Sequence, residues 1–343
     1  MEDTTTPFWE VLYSGTMSKL LETITCPVLP APMAGGPTTP ALVRAAAAAG
    51  SFSALGLGSA SVETARAAIK DCAGTRFGVN LFCPQRELTA TERAAAEALA
   101  AEENAVLGDV PLTFGWQEKL TAALDGGAAV LWSMFGVFSD AEVQRIHSSG
   151  AEAWTTVTTP EEALVAASRG VDVLCVQGPE AGGHRGVWDP AAEPDQRALA
   201  ELVAAVHQVT ERPLIAAGGV RTAADVAEAL SWPGVVAVSC GSAFLLSEEA
   251  GTSEHYRALL RRGGPTVSTR AFSGRYARGL ETEYTRTHPD LPLVYPYLNA
   301  LLKPRRARHD EEVGYCLVGT ALEKLGGGSV AQILAQLCPN GHL

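Results

Sequence analysis

The sequence predicts an α/β fold, namely a TIM (β/α)8 barrel with a helical insertion and a smaller C-terminal lid or second domain. Short apolar runs rich in β-branched residues alternate with alanine-rich amphipathic segments along most of the chain, as in repeated strand–helix units. Eight such runs are present, and eight parallel strands close this kind of barrel. A chain of 343 residues with 47% hydrophobic and 19% charged residues can bury such a core.

Each predicted strand is an apolar run bounded by glycine, proline or a polar turn. The sixth run is nearly all apolar, as expected of a strand buried on both faces of a parallel sheet. The eight strands are predicted at residues 27–33, 52–57, 77–82, 129–134, 153–157, 171–176, 213–217 and 235–240.

The segments between these strands have helical periodicity, and several begin with a helix-start pattern. Thr159 precedes Pro160, and two glutamates follow in the first turn, where they complement the helix dipole. The helices are predicted at residues 39–49, 62–70, 140–148, 160–169, 196–209 and 222–230.

Two regions are longer than a single strand–helix repeat requires. Residues 84–127 are alanine- and glutamate-rich and are predicted as a helical insertion between strands three and four, with a helix at 116–120. Pro111 argues against a strand at 110–114. Residues 1–247 would then form the barrel, and residues 248–343 a helical or irregular lid or second domain over its mouth.

Composition excludes several classes of protein. The net charge of −12 disfavours nucleic-acid or acidic-membrane binding, and the basic stretch 303–308 is interpreted as a solvated or phosphate-facing helix start. The chain shows neither a long apolar run nor an export signal in its first twenty residues. Seven scattered cysteines without a Cys-x-x-Cys pair indicate reduced thiols and no zinc site. We therefore expect a cytoplasmic protein without a membrane span.

The most informative motif is the glycine-rich loop at residues 177–186, which follows the sixth strand and contains His184. Ligands of parallel sheets bind beyond the carboxyl ends of the strands, and glycines allow the backbone to approach them closely. His184 is the only group in the loop that titrates near neutral pH. A flexible turn with a solvated histidine is the alternative interpretation, but the buried strand before the loop favours a functional histidine.

Other loops would converge on the same barrel end. Residues 31–36, with Pro32, Met33 and Ala34, can lie along a planar ring, and the Asn80 amide can bond to a ring carbonyl or imide. Paired glycines before a helix present amides to an anion, although each pair alone is typical of an ordinary turn. The candidate cofactor-binding residues are Pro32, Met33, Ala34, Asn80, Gln177, Gly182, Gly183, Gly218, Gly219, Cys240, Gly241 and Ser242.

The motifs of common nucleotide hydrolases, dinucleotide folds, zinc proteases and esterases are absent from the sequence. A flavin mononucleotide fits the remaining features, and nothing in the motifs requires a metal.

Taken together, residues 30–36, 77–82, 177–186, 216–220 and 240–244 resemble the nitronate monooxygenase family over roughly 24–285. The resemblance implies a barrel that binds FMN non-covalently and oxidises alkyl nitronates with dioxygen to a carbonyl compound and nitrite. It implies that His184 is the base, and that Met33, Asn80, Gln177, Gly182, Gly219, Gly241 and Ser242 contact FMN. Ser242 stands where threonine is more usual in the family and keeps a hydroxyl for phosphate.

Residues 273–278 also resemble the family, which brings Arg275 into consideration. Tyr295 could line the pocket, but the interpretation as an ordinary surface tyrosine is favoured. The expected partners are a small nitro or nitronate substrate and dioxygen, and a homo-oligomer is left open.

Two other functions compete with this one. FMN-dependent enoyl-acyl-carrier-protein reductases also carry a Gly-Gly-His loop and consume a nicotinamide cofactor, so flavin bleaching by NADH or NADPH without oxygen would favour them. A non-catalytic flavoprotein is the second alternative. A biosynthetic role on a specialised nitro metabolite also remains open.

Overall fold

The computed structural model describes residues 18–338, in which eight parallel strands form one sheet. They are β1 (Val28–Pro30), β2 (Ala54–Gly56), β3 (Gly78–Phe82), β4 (Val130–Met134), β5 (Glu152–Val157), β6 (Val173–Gln177), β8 (Leu214–Ala217) and β9 (Val235–Cys240). The strand order is β1-β9-β8-β6-β5-β4-β3-β2. This is the predicted TIM barrel, and every predicted strand is present. The first strand is shorter than predicted because Pro32 has no N–H to extend a ladder.

The barrel closes between β1 and β2 through side chains. Ser51 Oγ donates to the Val28 carbonyl at 2.5 Å, and Ser53 Oγ donates to the Pro30 carbonyl at 2.8 Å. A Cβ on Gly56 would lie 2.6 Å from the carbonyl carbon of Met33, so only glycine at the end of β2 allows the loop after β1 to approach this closely.

A second, antiparallel sheet has three short strands in the order β10-β11-β7. It consists of β7 (Gly183–His184), β10 (Thr266–Thr269) and β11 (Ala277–Leu280). This sheet joins the loop after β6 to the C-terminal region.

Twelve helices occur in the described residues. Those matching predicted helices are α1 (Pro40–Ala48), α2 (Val62–Asp71), α5 (Asp140–Ser148), α6 (Pro160–Ser168), α7 (Leu199–His207) and α8 (Ala223–Leu230). The insertion contributes α3 (Ala90–Glu102) and α4 (Trp116–Asp125), and the C-terminal region contributes α9 (Glu254–Arg262), α10 (Glu283–Thr287), α11 (Tyr297–Ala307) and α12 (Val330–Leu337). The hydroxyl of Thr159 accepts the Glu162 N–H and caps α6, as the sequence pattern predicts.

The core has an inner and an outer layer. Inside the barrel, the Trp154 ring packs against Phe52 and Trp132, with centroids 5.5 Å apart in both pairs. Two further apolar clusters fill the space between strands and helices. All seven cysteines are buried and free of disulfides.

The insertion and the C-terminal region meet in a third apolar layer. Leu99 of α3 packs with Tyr297, Leu298 and Leu302 of α11. α12 instead packs against α1 and α8, in the outer ring of the barrel. The domain boundary at residue 247 stays a prediction, and its outer limits at 1 and 343 lie outside the described residues.

The basic stretch 303–308 ends α11 and does not begin a helix, so that prediction is wrong. The helical pattern starts earlier, at the apolar residues of 297–302, and Pro304 lies inside the helix. Among residues 18–338, no helix is long and apolar enough to cross a membrane. The prediction that there is no export signal concerns the first twenty residues, and almost all of these lie outside the described residues.

Candidate active site

A cavity of about 390 Å³ lies at the carboxyl ends of the barrel strands. Loops after β1, β2, β6, β8 and β9 line it together with Asn80 and Phe82 of β3 and residues from the C-terminal region. All but two of the predicted site residues are at its wall: Pro32, Met33, Ala34, Asn80, Gln177, Gly182, Gly183, His184, Gly218, Gly241 and Ser242. The structure therefore brings together residues up to 210 positions apart in the sequence.

Cys240 and Gly219 are the two that do not line the cavity. Side chains alternate along a strand, so Ser239 of β9 faces the cavity and Cys240, 1% exposed, packs into the outer core. The side chain of Cys240 therefore does not support its assignment as a cofactor-binding residue, which stays a prediction. Gly219 adopts a φ of +73° and faces Glu180 in the neighbouring loop.

Backbone pairing and one side chain fix the position of His184. In β7, His184 pairs with Ala277 of β11. Gln177 Nε2 donates to the His184 carbonyl at 2.9 Å, and Gln177 Oε1 accepts the Gly186 N–H at 2.7 Å. Both ends of the Gln177 amide thus brace the loop that carries the histidine.

Ser273 sets the orientation and tautomer of the imidazole. His184 Nε2 and Ser273 Oγ are 2.8 Å apart, and Ser273 Oγ donates to the Arg275 carbonyl at 3.3 Å. Since the hydroxyl proton is used there, we assign the proton of the first bond to Nε2. Nδ1 is then unprotonated, and no described residue bonds to it.

The charge state of His184 follows from its surroundings. Burial, followed by the guanidinium groups of Arg275 and Arg306, lowers the pKa of His184 to about 3. Arg275 is 2% exposed and lies 4.1 Å from the centroid of the Phe135 ring. Within the described residues, neither arginine has a carboxylate at ion-pair distance. His184 is therefore neutral at physiological pH.

Aromatic rings surround the imidazole. Ring centroids of Tyr295, Phe135, Tyr315 and Phe82 lie 5.3, 5.7, 6.4 and 6.5 Å from that of His184. Tyr295 is 5% exposed and lines the cavity, so its interpretation as a surface residue is wrong. The segment before α11 folds back over the barrel, and burial raises the pKa of the Tyr295 hydroxyl.

Asn80 presents an acceptor to the cavity. The residue is 3% exposed, and its Nδ2 donates to the Trp132 carbonyl at 3.1 Å. This bond orients the amide, so Oδ1 remains to accept a hydrogen bond from a ligand.

Ser242 forms another part of the cavity wall. Ser242 Oγ accepts the Gly319 N–H at 2.9 Å, which leaves the hydroxyl proton of Ser242 to donate. A Cβ on Gly182 would lie 2.4 Å from the Gly319 nitrogen. Residues 318–320 therefore insert between two predicted loops, a contact that the sequence analysis missed because nothing local marks it.

Among the described residues that line the cavity, Arg221 is the only one with a charged side chain, because His184 is neutral. No aspartate or glutamate is among them. Sequence analysis missed Arg221 as well, although it follows the predicted glycine pair by two positions. The cavity suits negatively charged ligands.

Comparison with known proteins identifies the family. A model of nitronate monooxygenases matches residues 16–340. The chain belongs to the nitronate monooxygenase family. A family relative from Paraburkholderia phytofirmans is 31% identical over 334 residues, which cover 91% of each chain. One from Pseudomonas aeruginosa is 34% identical over 327 residues, covering 87% of this chain and 92% of the relative. Both are named nitronate monooxygenase.

Solved structures agree with this membership. A nitroalkane oxidase from Streptomyces ansochromogenes superposes with a TM-score of 0.87 at 32% identity, covering 94% of this chain and 97% of that one. FabK from Thermotoga maritima has a TM-score of 0.72 at 22% identity over 93% of each chain, which shows a shared fold. As a member of this family, the protein is an oxidoreductase.

Proposed function

We propose that the protein binds FMN and oxidises alkyl nitronates with dioxygen to a carbonyl compound and nitrite. The observation that carries the proposal is the cavity itself. It combines an unprotonated His184 Nδ1 with a wall free of aspartate and glutamate among the described residues. Family membership and the similarity to a nitroalkane oxidase support the same chemistry.

The residues at the cavity fit FMN. Asn80 Oδ1 could accept from the imide of the flavin ring, and the backbone at Met33 could lie along its face. Gly218, with a φ of +125°, Gly241 and the Ser242 hydroxyl could hold its phosphate. When bound, FMN would supply the redox chemistry, accepting an electron from the substrate and passing electrons to dioxygen.

His184 is proposed as the base that accepts a proton at Nδ1. A nitro group acidifies the α-carbon, so an oriented imidazole can remove a proton from a nitroalkane. The Ser273 bond keeps Nε2 protonated and thereby leaves the lone pair of Nδ1 free to accept a proton. Gln177 fixes the backbone of the same loop.

The charges around His184 favour the preformed nitronate over the neutral nitroalkane. A pKa of about 3 makes the imidazole a weak base while no anion is bound. The charges of Arg275 and Arg306 that lower this pKa also stabilise an anion beside the ring. A nitronate arrives with its proton already removed, and its negative charge would raise the proton affinity of His184.

The test compares ethylnitronate with nitroethane by oxygen consumption and nitrite release. We expect a yellow protein whose kcat/KM is at least about tenfold higher for the nitronate. His184→Asn should lower kcat/KM for nitroethane by about 100-fold or more. His147→Asn is the control, since His147 lies on the surface, paired with Asp172.

A colourless protein that added FMN does not restore would contradict the cofactor assignment. Equal activity of wild type and His184→Asn on both substrates would contradict the role of the histidine. Anaerobic addition of NADH should leave the flavin oxidised, and prompt bleaching would instead support the reductase alternative.

A further inference from the structure

One buried cation at the cavity has no carboxylate at ion-pair distance among residues 18–338. Arg221 is 7% exposed and lines the cavity wall. Burial lowers its pKa, but an arginine side chain remains protonated at physiological pH. A buried charge without a partner is unfavourable unless something compensates it.

The hydrogen bonds of Arg221 account for only part of its guanidinium. Nη1 donates to the Val220 carbonyl at 2.9 Å, and Nη2 donates to the Thr320 carbonyl at 3.1 Å. Nε is buried without a partner. Asp225 accepts the backbone N–H of Arg221, not its side chain, and within residues 18–338 no carboxylate lies within 4.0 Å of the guanidinium. Two neutral carbonyls therefore position the group, and Asp225 and Glu323 act on its charge only from beyond ion-pair distance.

The position of Arg221 places this charge at the end of the cavity where Ser242 lies. A Cβ on Gly319 would lie 2.4 Å from Arg221 Nη2, and the N–H of the same glycine donates to Ser242 Oγ. Arg221 and Ser242 thus flank one peptide unit. The N-terminus of α8 follows directly, with Thr222 as its cap, but the Asp225 carboxylate already accepts the N–H groups of Arg221 and Thr222 there, so the positive charge of this region is that of the guanidinium.

We propose that Arg221 binds the phosphate of the flavin nucleotide and makes the site selective for phosphorylated over unphosphorylated flavin. This inference rests on the proposed binding of FMN and adds the residue that neutralises the ligand. A phosphate dianion compensates the buried guanidinium and forms charge-assisted hydrogen bonds with it and with the Ser242 hydroxyl. Riboflavin has the same ring and ribityl chain but leaves the charge of Arg221 unpaired.

The experiment measures dissociation constants of FMN and riboflavin, by quenching of flavin fluorescence, for the full-length protein freed of flavin by dialysis. We expect wild type to bind FMN at least about 100-fold more tightly than riboflavin. Arg221→Met should weaken FMN binding by at least about 30-fold and change riboflavin binding by less than about threefold. Arg221→Lys should recover part of the preference, because it keeps the charge.

Arg257→Met is the matched control. Arg257 is also buried, at 8% exposure, and also donates to backbone carbonyls, but it does not line the cavity. Its ratio of riboflavin to FMN dissociation constants should equal that of wild type. Riboflavin binding reports whether each variant is folded, and Arg221→Gln replaces Arg221→Met should the latter not fold.

An unchanged ratio in the Arg221 variants would overturn the role of Arg221 while leaving FMN binding intact. Failure of wild type to bind either flavin would instead overturn the proposed function. The two failures are therefore distinguishable in one titration series.

Discussion

The tautomer and the charge of His184 are set by the residues around it. The glycine-rich loop predicts that a histidine lies at the mouth of the barrel, but its tautomer depends on Ser273, which lies 89 positions further along the chain. Its charge depends on burial first and then on Arg275 and Arg306. The same imidazole in open solvent would be half protonated near its ordinary pKa of 6.5. In this cavity it is a neutral acceptor.

This difference leads to a prediction about pH. A base must be unprotonated to act, and His184 becomes protonated only as the pH falls towards its lowered pKa of about 3. We therefore expect kcat/KM for nitroethane to be flat from about pH 5 to about pH 8. Initial rates of nitrite release over this range provide the measurement. An inflection near 6.5 that is absent from His184→Asn would contradict the lowered pKa.

Local pattern explains which site residues could be predicted. The loops at 31–36 and 177–186 carry proline, glycine and histidine next to apolar runs, so both the loop and its place at a strand end are readable. Tyr295 and Arg221 line the same cavity, and Ser273 bonds to His184 beside it, but no local pattern of apolar runs and glycines predicts these roles. The positions of Ser273 and Tyr295 depend on how the C-terminal region folds across the barrel. That of the Arg221 guanidinium depends on the conformation of its long side chain.

At the scale of elements, the eight barrel strands follow from apolar patterning because each is buried on both faces. The two-residue strand β7 could not be predicted, since it is too short to show a period and exists only by pairing with β11. The closure of β1 onto β2 by Ser51 and Ser53 could not be predicted either, because two serines before a strand are typical of a turn.

Helix α4 contains an unusual buried lysine. Lys119 is 1% exposed, and its Nζ donates to the carbonyls of Leu57 at 2.8 Å and Gly58 at 3.0 Å. Ser59, the next residue of this loop, lines the cavity. Burial lowers the pKa of Lys119 to about 8 from an ordinary 10.5. A helix of the insertion thus holds the loop after β2 in place.

The lowered pKa predicts how stability changes with pH. Between about 8 and 10.5, the folded state binds fewer protons at Lys119 than the unfolded state does, so the free energy of unfolding rises with pH across this window. From pH 8 to pH 9.5 the gain should be about 2 kcal/mol relative to Lys119→Met. Urea unfolding of both proteins at the two pH values measures it. Equal changes in wild type and variant would contradict the assignment.

At the scale of the whole molecule, charge is distributed unevenly. The chain has a net charge of −12, yet its described cavity wall contains an arginine and no acidic residue, and two more guanidinium groups lie behind His184. Among the described residues Glu162 is the one buried acidic side chain, and the others are partly or fully exposed to water. The cavity keeps a local positive potential suited to an anionic cofactor and an anionic substrate.

The cavity also joins parts of the chain that are far apart in sequence, which leads to the last prediction. Its wall combines the loop at 31–36, the loop at 177–186, Ser242 and the C-terminal residues Tyr295 and Tyr315. A ligand that binds all of these only in the folded state stabilises it by mass action, by about 4 kcal/mol at a thousandfold excess over Kd. For a chain of 343 residues, this corresponds to a rise in Tm of about 6 °C.

Thermal unfolding of the flavin-free protein, followed by tryptophan fluorescence, measures this rise as FMN is added. Trp132 lines the cavity, so quenching of its emission reports occupancy in the same sample. AMP is the control, because it carries a phosphate but no flavin ring and should shift Tm by less than about 1 °C. An FMN-independent Tm accompanied by unquenched tryptophan would show that these loops do not share a flavin.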